Sequence, residues 1–331
     1  IMSEKIKALL ATGRISNLPT VWCNCLAAAL ILFHQSEKGF QEFVSQPWSE
    51  PLTYLAIFLV VITSCFYVGG CFFGDYHDRE FDAEHKPERP IPSGVLKKNT
   101  VYIIGIALML PAFIAGSFLP SLYIEDFRIH LIQLPMLCLF FSILWYSSYH
   151  KKSLYIGLPL IGLCRFFLVI FSAAATSVLL GQMKAIGEYT HFESAPYYIT
   201  PIVLYASAVC LYTICFASVA RTESSDSPIT WRKVLRYTML GLPLLAVISK
   251  GSFFGIFQQT PAIVAVAIYA IWLIHSFSYL SRNKGVYVSK CLAGFCLLDA
   301  CFVAQFGWIW LIICLVLFAC SLALQKIAPA T

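Results

Sequence analysis

Long apolar stretches recur along almost the whole chain, and they constrain the fold more than any other feature of the sequence. A helix that spans a bilayer needs about 20 mostly apolar residues. Candidate stretches lie near residues 17–34, 51–73, 100–120, 129–148, 154–180, 198–220, 234–250, 261–281, 288–304 and 306–326. The last two run together and could be one re-entrant piece plus one span. We therefore predict an all-α, multi-pass transmembrane bundle of nine or ten helices, in a single domain over residues 1–331.

The composition excludes a water-soluble enzyme and a disordered protein. Hydrophobic residues make up 59% of the chain and charged residues 12%, against about 45–50% and about 25% in an ordinary globular domain. Most of the 13 cysteines lie inside apolar stretches. We interpret them as small buried hydrophobic residues rather than metal ligands.

The loop charges predict the orientation of the chain. If the N-terminus is cytoplasmic, the inside segments carry 17 of the 23 Lys and Arg residues and the outside loops carry 4, which is a strong positive-inside bias. The basic residues are scattered at the ends of apolar stretches, so we expect no nucleic-acid partner. Residues 1–16 are amphipathic and lack the long apolar core of a cleaved signal peptide, which predicts an interfacial segment.

The chemistry-bearing stretch is GDYHDREFDAEHKPERPIPSG, residues 74–94. Asp75, Asp78 and Asp82 share one face if the second span continues as a helix. Mg²⁺ favours one or two carboxylates together with substrate phosphates, and Lys86 and Arg89 follow closely enough to meet phosphate oxygens. The pattern indicates a metal-bound phosphate or diphosphate site. The alternative is a solvated acidic cap at the helix end.

This stretch resembles the first aspartate motif of the UbiA superfamily of intramembrane prenyltransferases, N-D-x-x-D-x-x-x-D followed by N-R-P-[LI]-P-S-G. The three aspartates and the run Arg89–Gly94 carry the match, whereas the leading Asn is Gly74 here. Two weaker resemblances follow the family's order, in residues 14–20 before the first span and in residues 145–147 with Lys151 and Lys152 after the fourth.

The second motif departs from the family pattern, which is usually D-x-x-x-D. The corresponding stretch here begins at Arg221, has Thr222 at the first aspartate position, and continues to Glu223 and Asp226. This degeneracy resembles EboC-like members of the family from bacterial gene clusters. Both acidic segments, 74–98 and 221–233, are predicted as cytoplasmic loops.

The resemblance implies a bundle around a central cavity, in which Mg²⁺ bridges the aspartates to an isoprenoid diphosphate. It implies an integral membrane enzyme, in a bacterial inner membrane, that moves a prenyl chain from a polyprenyl diphosphate to an acceptor that is aromatic in most members. The implied catalytic and metal-binding residues are Asp75, Asp78 and Asp82, with Glu223 and Asp226 as further metal ligands. The implied diphosphate-binding residues are Lys86, Arg89, Lys151 and Arg221.

Polar residues inside the apolar stretches are candidates for acceptor binding. Charges in mid-bilayer are costly, so Arg165 and Asp299 should face the bundle interior or lie near an edge of the membrane. Arg165 could bind an acceptor's carboxylate or pair with Asp299. Asn24 could bind substrate or join helices, and Tyr146 is a third acceptor candidate. The remaining histidines near the motifs, His77, His85 and His150, are predicted to be solvated.

Two other functions are compatible with the sequence. A catalytically weakened family member could act as a lipid-binding or scaffold protein, because Thr222 breaks the second motif. A cation-coupled transporter could use the aspartates as ion sites, although transporters usually place such sites near the midplane. The sequence leaves the acceptor and the prenyl chain length open.

Overall fold

The computed structural model describes residues 3–34, 50–118, 120, 129–151, 154–182, 195–221, 229–249 and 260–328. The ordered elements in these ranges are helices, with no strand, which confirms the predicted all-α class. In chain order the α-helices are α1 (Glu4–Thr12), α2 (Leu18–Phe33), α3 (Glu50–His85), α4 (Lys98–Phe118), α5 (Ile129–Tyr149), α6 (Leu154–Gln182), α7 (Ala195–Arg221), α8 (Ile229–Gly241), α9 (Leu244–Ser249), α10 (Thr260–Phe277), α11 (Lys284–Ala293), α12 (Phe295–Val303) and α13 (Trp308–Gln325).

Nine helical segments of the described ranges are long and apolar enough to cross a bilayer, in agreement with the lower predicted count. The two stretches at the end of the sequence are separate segments, Lys284–Phe306 and Trp308–Gln325. The predicted span 234–250 is not among the nine, because it forms the two shorter helices α8 and α9. Pro243 lies in the turn between these two helices, where its missing N–H interrupts helical hydrogen bonding.

Gly307 lets the last helix turn back along the one before it. Its φ of 133° is a backbone conformation that side chains other than glycine rarely adopt. As a result, the far end of α13 lies beside the start of α2, where Ser321 Oγ donates to the Ser16 carbonyl at 2.9 Å. Gln325 likewise donates to the Ser289 carbonyl in α11 at 3.0 Å.

Helices α2 and α6 lie between two hydrophobic clusters and contribute to both. One cluster joins them to α3, α4 and α5, and the other joins them to α7 through α13. Small side chains such as Ala27 and Ala28 are completely buried in α2, which lets neighbouring helices approach closely. Polar side chains of α2 are therefore enclosed by helices from both halves of the bundle.

Helix α3 continues well beyond its apolar stretch. It ends at His85, so residues 74–85, predicted as part of a loop, are helical, and only residues 86–97 are irregular. The other predicted acidic loop, 221–233, begins at the end of α7 and runs into α8, but residues 222–228 lie outside the described ranges.

Candidate functional site

The three motif aspartates lie on one buried face of α3. Because the helix runs without interruption to His85, residues at i, i+3 and i+7 point in similar directions. Asp75, Asp78 and Asp82 expose 8%, 7% and 2% of their surface. Carboxylates buried to this degree need cationic or hydrogen-bonding partners, and cations from three other parts of the chain supply them. We call these aspartates and their cationic partners the aspartate site.

Arg89 reaches the aspartate site from the loop that follows α3. Its Nη1 donates to Asp82 Oδ2 at 2.8 Å and lies 3.6 Å from Asp75 Oδ1. The loop folds back compactly, with Leu96 N donating to the Pro90 carbonyl at 2.9 Å and Gly94 at a φ of 78°. Leu96 is buried against Phe72 of α3, so an apolar anchor holds the loop in position.

Arg14 enters the site from the junction between α1 and α2. Its Nη2 donates to Asp75 Oδ1 at 3.2 Å. Arg14 is the one non-glycine residue with positive φ in the described ranges, at φ 46° and ψ 45°. Such strain persists where the surrounding structure requires it. Arg14 was not among the predicted site residues, although the resemblance over residues 14–20 was a signal for it.

His150 and Lys151 approach the site from the end of α5. His150 Nε2 lies 3.1 Å from Asp78 Oδ2, and Lys151 Nζ lies 3.8 Å from the same oxygen. His150 is buried, so the prediction that it is solvated was wrong, because Asp78 gives it a partner. His77 and His85 are exposed, as predicted.

Of the residues predicted to bind diphosphate, Arg89 and Lys151 contact the motif aspartates, and Lys86 lies near enough for its charge to act on Lys151. Partial burial lowers the pKa of the Lys151 ammonium, Asp78 and Asp82 oppose that shift, and the neighbouring charges of Arg89 and Lys86 add to it. The Lys151 ammonium also lies 3.9 Å above the Phe81 ring. Three cations close enough to influence one another form a surface suited to a polyanion.

Of four further predicted site residues, the structure describes Tyr146 in full, only the backbone of Arg221, and neither Glu223 nor Asp226. Tyr146 is half-buried in α5, where its ring stacks on His150 with centroids 4.7 Å apart. Arg221 is the last residue of α7, and its side chain is not among those described. Glu223 and Asp226 lie outside the described residues.

The donor set of the site fits a divalent cation that shares its ligands with a phosphate. Asp82 Oδ1 is buried and makes no hydrogen bond within the described part of the chain. No three His, Cys, Asp or Glu side chains of the described residues are arranged to hold an ion unaided. Magnesium typically uses one or two carboxylates and completes its octahedron with substrate phosphates and water. Asp75, Asp78 and Asp82 would be the residues that hold it.

A second polar cluster lies deeper in the bundle. Arg165 of α6 and Asp299 of α12 are both buried, as predicted for charges inside apolar stretches. They do not pair directly: Asn24 of α2 accepts from Arg165 at 2.7 Å and donates to both Asp299 oxygens at 2.9 Å. The three helices are thereby joined through one amide side chain.

Comparison with known proteins identifies one family and a related fold. The profile of the UbiA prenyltransferase family matches residues 42–288. A solved structure of digeranylgeranylglyceryl phosphate synthase in membranes superimposes with a TM-score of 0.54 at 18% identity, covering 95% of this chain and 100% of that chain. At that identity the similarity demonstrates a common fold.

Curated relatives match over shorter stretches. The digeranylgeranylglyceryl phosphate synthase of Thermococcus sibiricus is 45% identical over 56 residues, which is 17% of this chain and 19% of that protein. The enzyme of the same name from Thermococcus onnurineus is 33% identical over 92 residues, which is 26% of this chain and 31% of that protein. The chain therefore matches less than a third of the length of either relative.

Proposed function

Because the chain belongs to the UbiA prenyltransferase family, we propose that it transfers a prenyl chain from a polyprenyl diphosphate to an acceptor within the membrane. One observation carries the proposal: three buried aspartates on one face of α3 are surrounded by cationic side chains from three other parts of the chain. Paired acids and bases of this kind suit a diphosphate and its counter-ion.

The contacts in the aspartate site suggest a role for each of its side chains. Family members generally use divalent metal ions, and a bound Mg²⁺ would neutralise charge on the leaving diphosphate. Arg89 and Lys151 would donate to diphosphate oxygens, together with Lys86 and Arg221. Arg14 and His150 would hold Asp75 and Asp78 in place. With the diphosphate stabilised, the allylic C–O bond can break with its electron pair leaving on the diphosphate. The acceptor then forms the new bond to the allylic carbon and loses a proton to solvent.

We propose that the enzyme is embedded in a membrane with the aspartate site at its cytoplasmic face. The nine apolar helices within the described ranges, together with the family, indicate an integral membrane protein. We place the aspartate site and the N-terminus on the cytoplasmic side, because the positive-inside bias assigns both to that face. A bacterial inner membrane is the proposed location.

Two acceptor classes are compatible with the proposal. Most family members are expected to use an aromatic acceptor, whereas the curated relatives are named for digeranylgeranylglyceryl phosphate. The test incubates the protein in nanodiscs with labelled geranylgeranyl diphosphate, Mg²⁺, and either 4-hydroxybenzoate or geranylgeranylglyceryl phosphate. We expect a prenylated product with one of them and none with Asp82→Asn. Tight diphosphate binding without any product would favour the lipid-binding relative that the Thr222 position suggests.

A further inference from the structure

Arg165 is an arginine in the interior of a membrane-spanning helix. It lies eleven residues into α6, about 16 Å from the helix start, and exposes 7% of its surface. A charged side chain at such depth is costly to insert into a bilayer, and residues of this kind usually serve a function. The aspartate site does not use Arg165.

The described partners of Arg165 are uncharged. Its Nη1 donates to Asn24 Oδ1 at 2.7 Å and its Nη2 donates to Thr20 Oγ1 at 3.1 Å. The guanidinium also lies 4.5 Å from the centre of the Phe295 ring and 5.6 Å from that of Tyr67. A guanidinium carries five N–H groups, so these two hydrogen bonds leave three for a ligand or water.

Asp299, which Asn24 links to Arg165, already accepts hydrogen bonds from other donors. Asn24 Nδ2 donates to both of its oxygens at 2.9 Å, and the Tyr205 hydroxyl donates to Oδ1 at 2.8 Å. Asn24 bonds to both Asp299 and Arg165, and no direct ion pair joins the two charged groups. The arrangement orients the guanidinium without closing it off in a direct ion pair.

A series of polar side chains connects Arg165 to the aspartate site. Tyr67 lies under the guanidinium and accepts a hydrogen bond from Asn17 Nδ2 at 2.9 Å. Asn17 lies three residues after Arg14, which donates to Asp75. Along α3, Tyr67 precedes Asp75 by eight residues, or about 12 Å. Arg165 therefore lies deeper in the membrane than the diphosphate-binding groups, by a distance of about 12 Å that a small acceptor molecule could span.

We propose that Arg165 binds an acidic group of the acceptor, a carboxylate or a phosphate monoester, and so selects anionic acceptors. This inference rests on the proposed function. The planar fork of a guanidinium matches both groups through paired hydrogen bonds. Asn24 and Asp299 act as positioning residues that fix the orientation of the fork. The rings of Phe295 and Tyr67 exclude water from one side of it.

The test compares acceptors that differ only in charge. Binding of labelled 4-hydroxybenzoate and 4-hydroxybenzamide, and of geranylgeranylglyceryl phosphate and geranylgeranylglycerol, is measured with the protein in nanodiscs. We expect the protein to bind the anionic member of one pair more tightly than the neutral member. Which pair shows this preference tells whether the site binds a carboxylate or a phosphate monoester. Arg165→Gln should weaken that binding at least tenfold and leave the neutral analogue unchanged, and Arg165→Lys should restore part of it.

Controls separate this role from a structural one. Thr176→Val removes another buried hydrogen bond of α6, from Thr176 to the Ser172 carbonyl, and should leave acceptor binding unchanged. Equal affinity of the unmodified protein for the acidic and the neutral acceptor in each pair would overturn the proposal. So would an equal loss of affinity for the acidic and the neutral acceptor in Arg165→Gln and Arg165→Lys. Geranylgeranyl diphosphate binding is measured in parallel. Its absence in the unmodified protein would contradict the proposed function, while acid-selective binding through Arg165 would still support this inference.

Discussion

His150 and Asp78 are 72 positions apart and meet in the aspartate site, with His150 Nε2 at 3.1 Å from Asp78 Oδ2. The other ring nitrogen, Nδ1, lies 2.9 Å from the Tyr146 carbonyl. Both ring nitrogens face oxygen acceptors, and an imidazolium can donate to both at once. His150 therefore connects the end of α5 to the central aspartate of the motif.

Removal of His150 should impair the site without unfolding the protein. A hydrogen bond to a charged group contributes about 1.5–3 kcal/mol, so we expect His150→Ala to weaken geranylgeranyl diphosphate binding roughly 10- to 100-fold. His77→Ala serves as the control, because His77 is exposed although it lies between two motif aspartates. Equal affinities of both variants would show that His150 does not position Asp78.

The titration of Lys151 should appear in the pH dependence of diphosphate binding. Burial lowers its pKa below the usual 10.5, despite the opposing charge of Asp78. The ammonium form attracts the diphosphate, so affinity should fall as the pH rises through this lowered pKa. Lys151→Arg retains its charge throughout and should bind with little change between about pH 7 and pH 10. The same alkaline decline in both proteins would assign the titration to another group.

Two substitutions at Arg14 separate backbone strain from the ion pair with Asp75. Both Arg14→Gly and Arg14→Ala remove the contact with Asp75 Oδ1, and both should weaken diphosphate binding to a similar degree. Glycine adopts the positive φ of this position without the steric cost that alanine retains. We expect Arg14→Gly to be the more heat-stable variant in detergent, by about 1 kcal/mol. Higher stability of the alanine variant would show that the positive φ at position 14 does not strain the backbone.

Two glycines of α3 should respond in opposite ways to alanine. A Cβ at Gly69 would lie 2.5 Å from Met109 Cγ and 3.2 Å from the Gly105 carbonyl of α4, whereas one at Gly74 would meet nothing within 4 Å. Gly69→Ala should therefore lower the melting temperature. Gly74→Ala should raise stability by about 0.5–1 kcal/mol, because alanine is favoured within helices. A gain of stability in both variants would show that α3 and α4 are not packed closely at Gly69.

Local patterns in the sequence were sufficient to predict the class of fold and the face of α3. Hydropathy indicated the spans, and the spacing of Asp75, Asp78 and Asp82 placed them on one face on the condition that the second span continued as a helix, because helical periodicity is a property of neighbouring residues. The interior location of Arg165 and Asp299 followed from the cost of exposing charge to lipid. The predicted span 234–250 is divided at Pro243 into two shorter helices, a break that hydropathy alone does not reveal.

Contacts between distant residues could not be predicted in the same way. Arg14 and Asp75 are 61 positions apart, and the pairing of His150 with Asp78 depends on how α5 packs against α3. Asn24 was predicted to bind substrate or to join helices, but its position between Arg165 and Asp299 requires three helices to be placed together. The roles of these residues in substrate binding stay predictions.

Metal-dependent binding of the prenyl diphosphate tests the central claim most directly. The measurement is the affinity for labelled geranylgeranyl diphosphate in nanodiscs, with Mg²⁺ and with EDTA, for the unmodified protein, Asp78→Asn and Glu80→Gln. Glu80 is exposed on the same helix and pairs with Arg79, so its variant controls for the loss of one acidic charge. We predict tight, Mg²⁺-dependent binding that Glu80→Gln retains and Asp78→Asn loses. Equal binding by all three proteins, with or without Mg²⁺, would contradict the account.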